Sequence, residues 1–420
     1  MSDGAATVLK ALGNAQLSAH ALPHLLSRDP AEHWISGQWM TENAGGSDVS
    51  ASETVAELEQ GQWRLHGRKW FTSAINAQMA LLLARPAGAA AGADGLALFY
   101  IEPRDAEGRW QNITLDRLKD KLGTRQLPTA EIHLDGAPAQ LVGDAQHGVR
   151  AIAPMLNVTR TWNAVCAVAT MRRALALARD YAQRRQAFGR TLIEQPLHRA
   201  TLANLQAQFE AAFHLAFHVA ELLGLAQSGS ASSAQQMQLR LLTPLAKLWT
   251  GKLAVAIASE ACECLGGAGY LEDSGVPQLL RDAQVYSIWE GTTNVLALDF
   301  LRALHSAGGI QTLLDAQTAL HAEVKSDHLV ACAKRAHTHA EQCAEQLQSL
   351  KNDRDTLEAS ARDIALGLAQ SFALSLLVRH ADWAQRADND ARPAAAARRF
   401  AELLAPAKTH RYDDTITLTR

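Results

Sequence analysis

From about Gly148 onward, apolar residues recur at i, i+3 and i+4 in segments of roughly thirty residues: Ile152 to Tyr181, Gln195 to Ala226 and Ser233 to Leu265. Alanine supplies helix propensity throughout. Amphipathic segments this long must bury their stripes against one another, so they predict a bundle of long helices. A shorter pattern, Thr293 to Leu304, follows, and the Ser/Gly-rich stretch Gln227 to Ser233 reads as a helix–helix connection. Residues 306–420 continue the helical pattern in three runs, 311–350, 354–385 and 392–405, and the tail from Lys408 to Arg420 reads as loosely attached.

The preceding third of the chain has another texture. Residues 1–33 carry one weak helical pattern near Ala5 to Leu12 and a loop ending in Asp29-Pro30. From Trp34 to about 147, short alternating segments near 53–59, 62–67, 79–84, 95–102 and 130–135 are separated by turn residues. This spacing predicts a small β-sandwich or barrel, with the Ala/Gly stretch Pro86 to Gly95 as a loop. The fold class is therefore α+β, mostly α: a residual N-terminal helical segment (1–33), a β domain (34–147), a helical bundle (148–305) and an additional helical region (306–420).

Charge narrows the function classes. The 420 residues hold 40 Lys and Arg against 43 Asp and Glu, a net charge of −3, which gives no general reason for a nucleic-acid or membrane partner. No unbroken run of about 18 apolar residues occurs, so no membrane span is expected. The N-terminus lacks the basic and apolar regions of a secretion signal. The five cysteines are Cys166, Cys262, Cys264, Cys332 and Cys343, an odd and scattered set that fits reduced, buried thiols in the cytoplasm. Neither Cys262/Cys264 nor His337/His339 has zinc-site spacing, so no metal is expected.

The stretch Ile288-Trp289-Glu290-Gly291-Thr292 sets a carboxylate beside apolar residues and a glycine turn. An apolar wall raises a carboxyl pKa toward that of a general base, and Thr292 can cap the helix that follows. An ordinary helix-end carboxylate shares this local grammar. Thr41-Glu42-Asn43-Ala44-Gly45-Gly46-Ser47-Asp48 can lay N–H groups along a ring or phosphate, or be a plain turn. Lys69-Trp70-Phe71-Thr72 can stack a ring, or supply a core tryptophan. Arg184-Arg185-Gln186-Ala187-Phe188-Gly189 can clamp phosphate, or merely satisfy a helix dipole. Leu265-Gly266-Gly267-Ala268-Gly269-Tyr270 ends a helix without the spacing of a dinucleotide fingerprint.

Taken in order, these motifs over about Trp34 to Leu304 closely resemble the acyl-CoA dehydrogenase flavoprotein family. Arg117-Leu118-Lys119-Asp120-Lys121-Leu122-Gly123, Thr243-Pro244-Leu245-Ala246-Lys247 and Ile288-Trp289-Glu290-Gly291 look most like its AidB-like, alkylation-response branch. The resemblance implies FAD, with Thr41 and Ser47 along the flavin and substrate edge, Trp70 and Thr72 over the ring system and Thr72 near N5. It implies that Arg185, Phe188, Gly266 and Gly267 reach the FAD of a neighbouring subunit, and that Thr292 and Asn294 contact its adenosine-diphosphate part. Glu290 matches the catalytic base and Arg302 a supporting arginine.

The implied activity is oxidation of an acyl-CoA to the trans-2-enoyl-CoA, by α-proton abstraction and β-hydride transfer, within cytoplasmic fatty acid metabolism. Electron-transfer flavoprotein is the implied acceptor and a homo-oligomer, dimer or tetramer, the implied assembly. Two points depart from the pattern. Only 40 residues precede Thr41, where the family has a helical domain that helps wall the pocket, and Glu263 stands where many members have Gln. The alternatives are a DNA-binding or DNA-protective flavoprotein with little turnover, using a small patch at Arg392, Arg398 and Arg399, or an inactive truncated homologue.

Overall fold

The structure, a computed structural model, describes residues 1–405 and 412–419. The chain divides into two compact units, Met1–Thr159 and Arg160–Arg420.

The first unit opens with α1 (Ser2–Leu12) and α2 (Ala15–Leu25), followed by β1 (Ser36–Gln38), β2 (Val55–Glu59), β3 (Gln62–Ser73), β4 (Met79–Pro86), β5 (Ala97–Ile101), β6 (Ile113–Leu118) and β7 (Thr129–Leu141). A single turn, α3 (Gly148–Ala151), leads into α4 (Ala153–Arg184), which continues into the second unit. The strands run β4-β2-β3-β7-β5, and β5 pairs back onto β4, so the sheet closes as a barrel, with β1 beside β4 and β6 beside β7.

Every residue of β4 from Met79 to Ala84 is buried, because the strand has two covered faces. Met79, Leu81 and Leu83 pack with Val8, Leu9 and Leu17 of the helices, while Ala80, Leu82 and Ala84 pack inside the barrel with Phe99, Ile132 and Leu134. The sequence pattern indicated neither β6, which has one buried residue and so no alternation, nor α2, which begins just after Gly13 and contains Pro23. Asn14 caps α2 by accepting from Leu17 N at 3.1 Å.

The second unit holds the hairpin β8 (Gln186–Ala187) and β9 (Arg190–Thr191), then α5 (Pro196–Gln227), α6 (Ser233–Cys264), α7 (Val276–Ala283) and α8 (Thr293–Ser306). The C-terminal region adds α9 (Gln311–Ala322), α10 (Asp327–Ser349), α11 (Arg354–Asp388), α12 (Arg392–Leu403) and α13 (Tyr412–Leu418). One core runs through this unit, including Leu215 and Val219 of α5, Leu242 and Ala246 of α6 and Leu368 and Phe372 of α11.

The expected single run over 311–350 is broken at 323–326. The Asp382 carboxylate of α11 accepts from Lys325 N at 3.1 Å and Ser326 N at 3.0 Å, a cap supplied from 56 residues away. By length and composition alone, α5, α6 and α11 each contain an 18-residue window apolar enough to cross a membrane, contrary to the expectation from unbroken runs. Those windows are 44%, 83% and 78% buried within the protein, so in α6 and α11 most of that apolar surface faces other helices. Cys166 also departs from expectation: it is exposed, whereas Cys264, Cys332 and Cys343 are buried.

Candidate active site

In the first unit the loop after β1 is organised by a buried ion pair. Glu42 and Lys69 are 4% and 1% exposed and lie 2.5 Å apart. Glu42 also accepts from Thr54 Oγ1 and Glu53 N, each at 2.6 Å, and Lys69 Nζ donates to the Leu83 carbonyl at 2.8 Å. Burial pushes the Glu42 carboxyl up, but the Lys69 ammonium and the other donors outweigh it, so the group titrates below its ordinary range.

Fixing Glu42 fixes its neighbours. The Thr41 carbonyl accepts from Trp70 N at 2.9 Å, which joins the loop to β3, and the Thr41 side chain sits against Gly46. Ser47 is exposed. Trp70 is 38% exposed, so it is not the core tryptophan that an isolated reading favours. Phe71 meets its ring edge-on at 4.9 Å between centroids, and Lys119 Nζ lies 3.6 Å from the Trp70 centroid, a cation–π contact. Lys119 and Arg117 both bind Glu131, at 2.6 and 2.7 Å. Hydrogen bonds from Arg117 and Lys119 bring the Glu131 carboxyl down to about 2. Thr72 is buried, and its hydroxyl donates into the sheet, to the Ala130 carbonyl at 2.7 Å. The loop carrying Thr41 is thus joined to β3 at Trp70, while the Thr72 hydroxyl is taken up by the sheet.

In the second unit Glu290 occupies the turn before α8 with φ 60°, a left-handed conformation uncommon for a residue with a Cβ. Three consecutive carbonyls of this turn are held by side chains from α4 and α6. Asn163 Nδ2 donates to Trp289 O at 3.5 Å, Arg160 Nε to Glu290 O at 3.3 Å, and Lys247 Nζ to Gly291 O. Gly251 of α6 brings the preceding turn close: a Cβ there would lie 2.8 Å from the Tyr286 carbonyl oxygen. Thr292 caps α8 as expected, accepting from Val295 N at 3.5 Å, and both Thr292 and Asn294 are exposed.

The wall expected beside Glu290 is not built by its neighbour Ile288, which is 61% exposed. Its place is taken by charge. Lys247 is fully buried, and burial, helped by the Arg160 cation and opposed by Glu290, brings its ammonium down to about 7. Arg160 also binds the buried Asp299 at 2.7 Å, which Arg240 meets at 2.9 Å. Burial pushes the Asp299 carboxyl up and the arginines more than offset it, so it titrates below its ordinary range. Arg302 is largely exposed and joins this cluster from outside, 3.7 Å from Asp299.

The remaining residues lie on open surface. Phe188 and Gly189, with φ 54° and 79°, form the two-residue turn between β8 and β9, and Phe188 is 97% exposed at its tip. Arg185 is exposed at the end of α4, and Gly266 and Gly267 are exposed in the turn after α6, where a Cβ would meet nothing within 4 Å. Of the metal-capable groups among the described residues, Glu57, Glu59 and His66 bring ligand atoms within 4.8 Å of one another, at a largely exposed edge of β2 and β3.

Residues 37–137 match the family profile "Acyl-CoA dehydrogenase, middle domain" and residues 146–305 the profile "Acyl-CoA dehydrogenase, C-terminal domain". The structure superposes on Caenorhabditis elegans ACDH-11, crystallised in complex with C11-CoA, with a TM-score of 0.94 and 40% identity over 100% of this chain and 74% of that one. The chain belongs to the acyl-CoA dehydrogenase family.

Among curated members of that family, C. elegans acyl-CoA dehydrogenase family member 11 is 43% identical over 401 residues, 91% of this chain and 64% of its own length. The putative acyl-CoA dehydrogenase AidB of Escherichia coli is 39% identical over 292 residues, 69% of this chain and 52% of its own. The chain therefore spans about half to two thirds of these curated acyl-CoA dehydrogenases. Residues 313–417 match "Acyl-CoA dehydrogenase 11 C-terminal domain-like". That extra region is shared with the family member 11 type, so the AidB-like branch expected from three short motifs is the more distant of these two relatives.

The motifs assign no site role to the residues that hold the Glu290 turn, Arg160, Asn163 and Lys247, or to Asp299, which binds Arg160; Lys247 figures only as part of a branch motif. Lys247 had a visible signal, since it is a lone cation inside Leu241–Trp249, a stretch otherwise buried and apolar apart from Thr243. The partners of Arg160 and Asn163 lie more than 120 residues away and left none.

Proposed function

We propose that this chain forms the flavin and substrate domains of an FAD-dependent acyl-CoA dehydrogenase in which Glu290 removes the α-proton of an acyl-CoA thioester. The observation that carries this reading is the Trp289–Gly291 turn. A glutamate held in a left-handed conformation, with three carbonyls anchored beside a buried cation, is over-determined in the manner of a functional residue. The Lys247 ammonium and the Glu290 carboxylate attract one another across this turn, and a base must be a carboxylate before it can accept a proton.

The residues present suit FAD. The Trp70 face is accessible beside a polar loop, the donors Thr292 and Asn294 stand exposed at the N-terminus of α8, and Gly266, Gly267 and Arg185 are open to a long anionic ligand. Bound FAD would supply the hydride acceptor for the β-carbon. Trp70 would stack on the ring system, Thr292 and Asn294 would bind the diphosphate portion, and Glu290 would receive the α-proton on a carboxylate oxygen.

Phe188, fully exposed on its hairpin tip, suits a role in which a second copy of the chain covers it, consistent with a homo-oligomer. Electron-transfer flavoprotein is the proposed electron acceptor. The C11-CoA complex of ACDH-11 makes medium-chain acyl-CoAs the first substrates to test. A DNA-binding role draws little support from the candidate cationic patch: Arg392 is paired with Glu210, and Arg399 donates to Asn204 Oδ1 at 2.6 Å.

The test is anaerobic mixing of the yellow protein with a panel of acyl-CoAs. Flavin absorbance should bleach, and Glu290→Gln should keep the colour and lose the bleaching. A colourless protein that takes up no FAD, or bleaching that persists in Glu290→Gln, refutes the proposal.

A further inference from the structure

A cavity of about 630 Å³ lies wholly within the second unit, between α5 and α11, and none of the residues assigned above lines it. This volume falls in the usual range for small-molecule sites. The two helices present matching stripes to it: His214, Phe217, His218 and Glu221 from α5, and Leu376, Arg379, His380 and Trp383 from α11. Facing stripes in a helix bundle are normally apolar. Here they carry three imidazoles and a guanidinium, an arrangement that costs stability unless something pairs with it.

Two cationic or titratable groups here are poorly matched among the described residues. Arg379 is half-buried and, among the described residues, makes neither a hydrogen bond nor an ion pair, whereas Arg386 on the same helix binds Asp382 at 2.9 Å. His218 is only weakly partnered: neither ring nitrogen makes a close hydrogen bond, and Nδ1 faces the Glu221 carboxylate of the next turn at 3.6 Å. The rings of His214 and His380 lie 4.5 Å apart, and His380 stacks on Trp383 at 5.7 Å. Trp383 and Phe217 are 52% and 44% exposed, large apolar faces left open at the cavity.

The occupant's chemistry follows from this lining. A metal cation is disfavoured, since the three imidazoles do not converge and Arg379 stands among them. Burial, with His380 and Arg379 adding repulsion, brings His214 down to about 3, so it offers a neutral donor and acceptor. One unpaired guanidinium suits one negative charge, and the exposed carboxylates Glu221 and Glu323 at the rim oppose a second. We propose that this cavity binds a small organic monocarboxylate, its carboxylate on Arg379 and its aromatic or aliphatic body against Trp383 and Phe217. The site is independent of the flavin reading.

Calorimetric titration of the whole protein with 2-naphthoate and with octanoate tests this, using 2-naphthamide as the uncharged control. At least one carboxylate should bind saturably at one site, and the amide should bind at least about tenfold more weakly, the scale of a lost charge-assisted pair. Arg379→Met should weaken the carboxylate about tenfold or more at an unchanged melting temperature, and Trp383→Ala should weaken 2-naphthoate more than octanoate. The proposal is overturned if neither carboxylate binds, if the amide binds equally well, or if Arg379→Met binds undiminished.

Discussion

Lys247 makes the protein's stability depend on pH in a window where few other groups titrate. It is fully buried, donates to the Gly291 carbonyl, and its ammonium is brought down to about 7 by burial, with Arg160 adding to the shift and Glu290 opposing it. In the unfolded chain a lysine titrates near about 10.4. Below about 7 both states hold the proton and the cost of burying the charge is full. Between about 7 and about 10 the unfolded chain binds more protons than the folded one, so stability rises with pH by roughly 1.4 kcal/mol per unit. From about pH 7 to about pH 9 the gain integrates to about 2 kcal/mol, partial titration of the folded state removing some of the first unit. Lys247→Met lacks this dependence. Urea unfolding of both proteins at about pH 7, 8 and 9, followed by helical circular dichroism, should show their stability difference moving by about 2 kcal/mol in favour of the wild type as pH rises. Parallel pH profiles would refute the burial of a charged lysine at the Glu290 turn.

Three further outcomes are expected. Glu42→Gln leaves Lys69 buried without a counter-charge and should cost about 3–5 kcal/mol in urea unfolding. Gly251→Ala puts a Cβ 2.8 Å from the Tyr286 carbonyl, and should lower stability by about 1–3 kcal/mol; through displacement of the Glu290 turn it should also slow flavin bleaching by acyl-CoA. Phe188→Ala removes a side chain that is 97% exposed, so the chain's own stability should change by less than about 0.5 kcal/mol while FAD retention on gel filtration falls.

Much of this architecture was legible because long periodic segments carry strong signals. The helices at 153–184, 196–227 and 233–264 follow from Ala/Leu periodicity, and five strands from short apolar segments bounded by turn residues. What escaped has physical reasons. β6 faces solvent along most of its length, α2 follows a glycine and contains a proline, and α10 starts where Asp382 caps it from another helix. The candidate site divides in the same way. The capping role of Thr292 is local, and its Thr-Thr-Asn context displays it. Of the apolar wall drawn from Ile288 and Trp289, Ile288 faces solvent, while Lys247 and Arg160, distant in sequence, hold the carbonyls of the turn. Taken alone, Trp70 looked like a core residue because composition cannot say which face of a strand is covered; its exposure and its contact with Lys119 appear only once β3 and β6 are both paired to β7.

The three anchored carbonyls at 289–291 remove the backbone of Glu290 from the set of parts that can move. With Asn163 and Arg160 on α4 and Lys247 on α6 each holding one peptide, the turn travels only with those helices, and the glutamate side chain keeps just its own torsions. A base mounted this way behaves as a fixed post. Adaptation to longer, shorter or branched acyl groups then falls to residues elsewhere in the chain, since any substitution that tuned the position of Glu290 would first have to repack the two longest-range contacts that hold it.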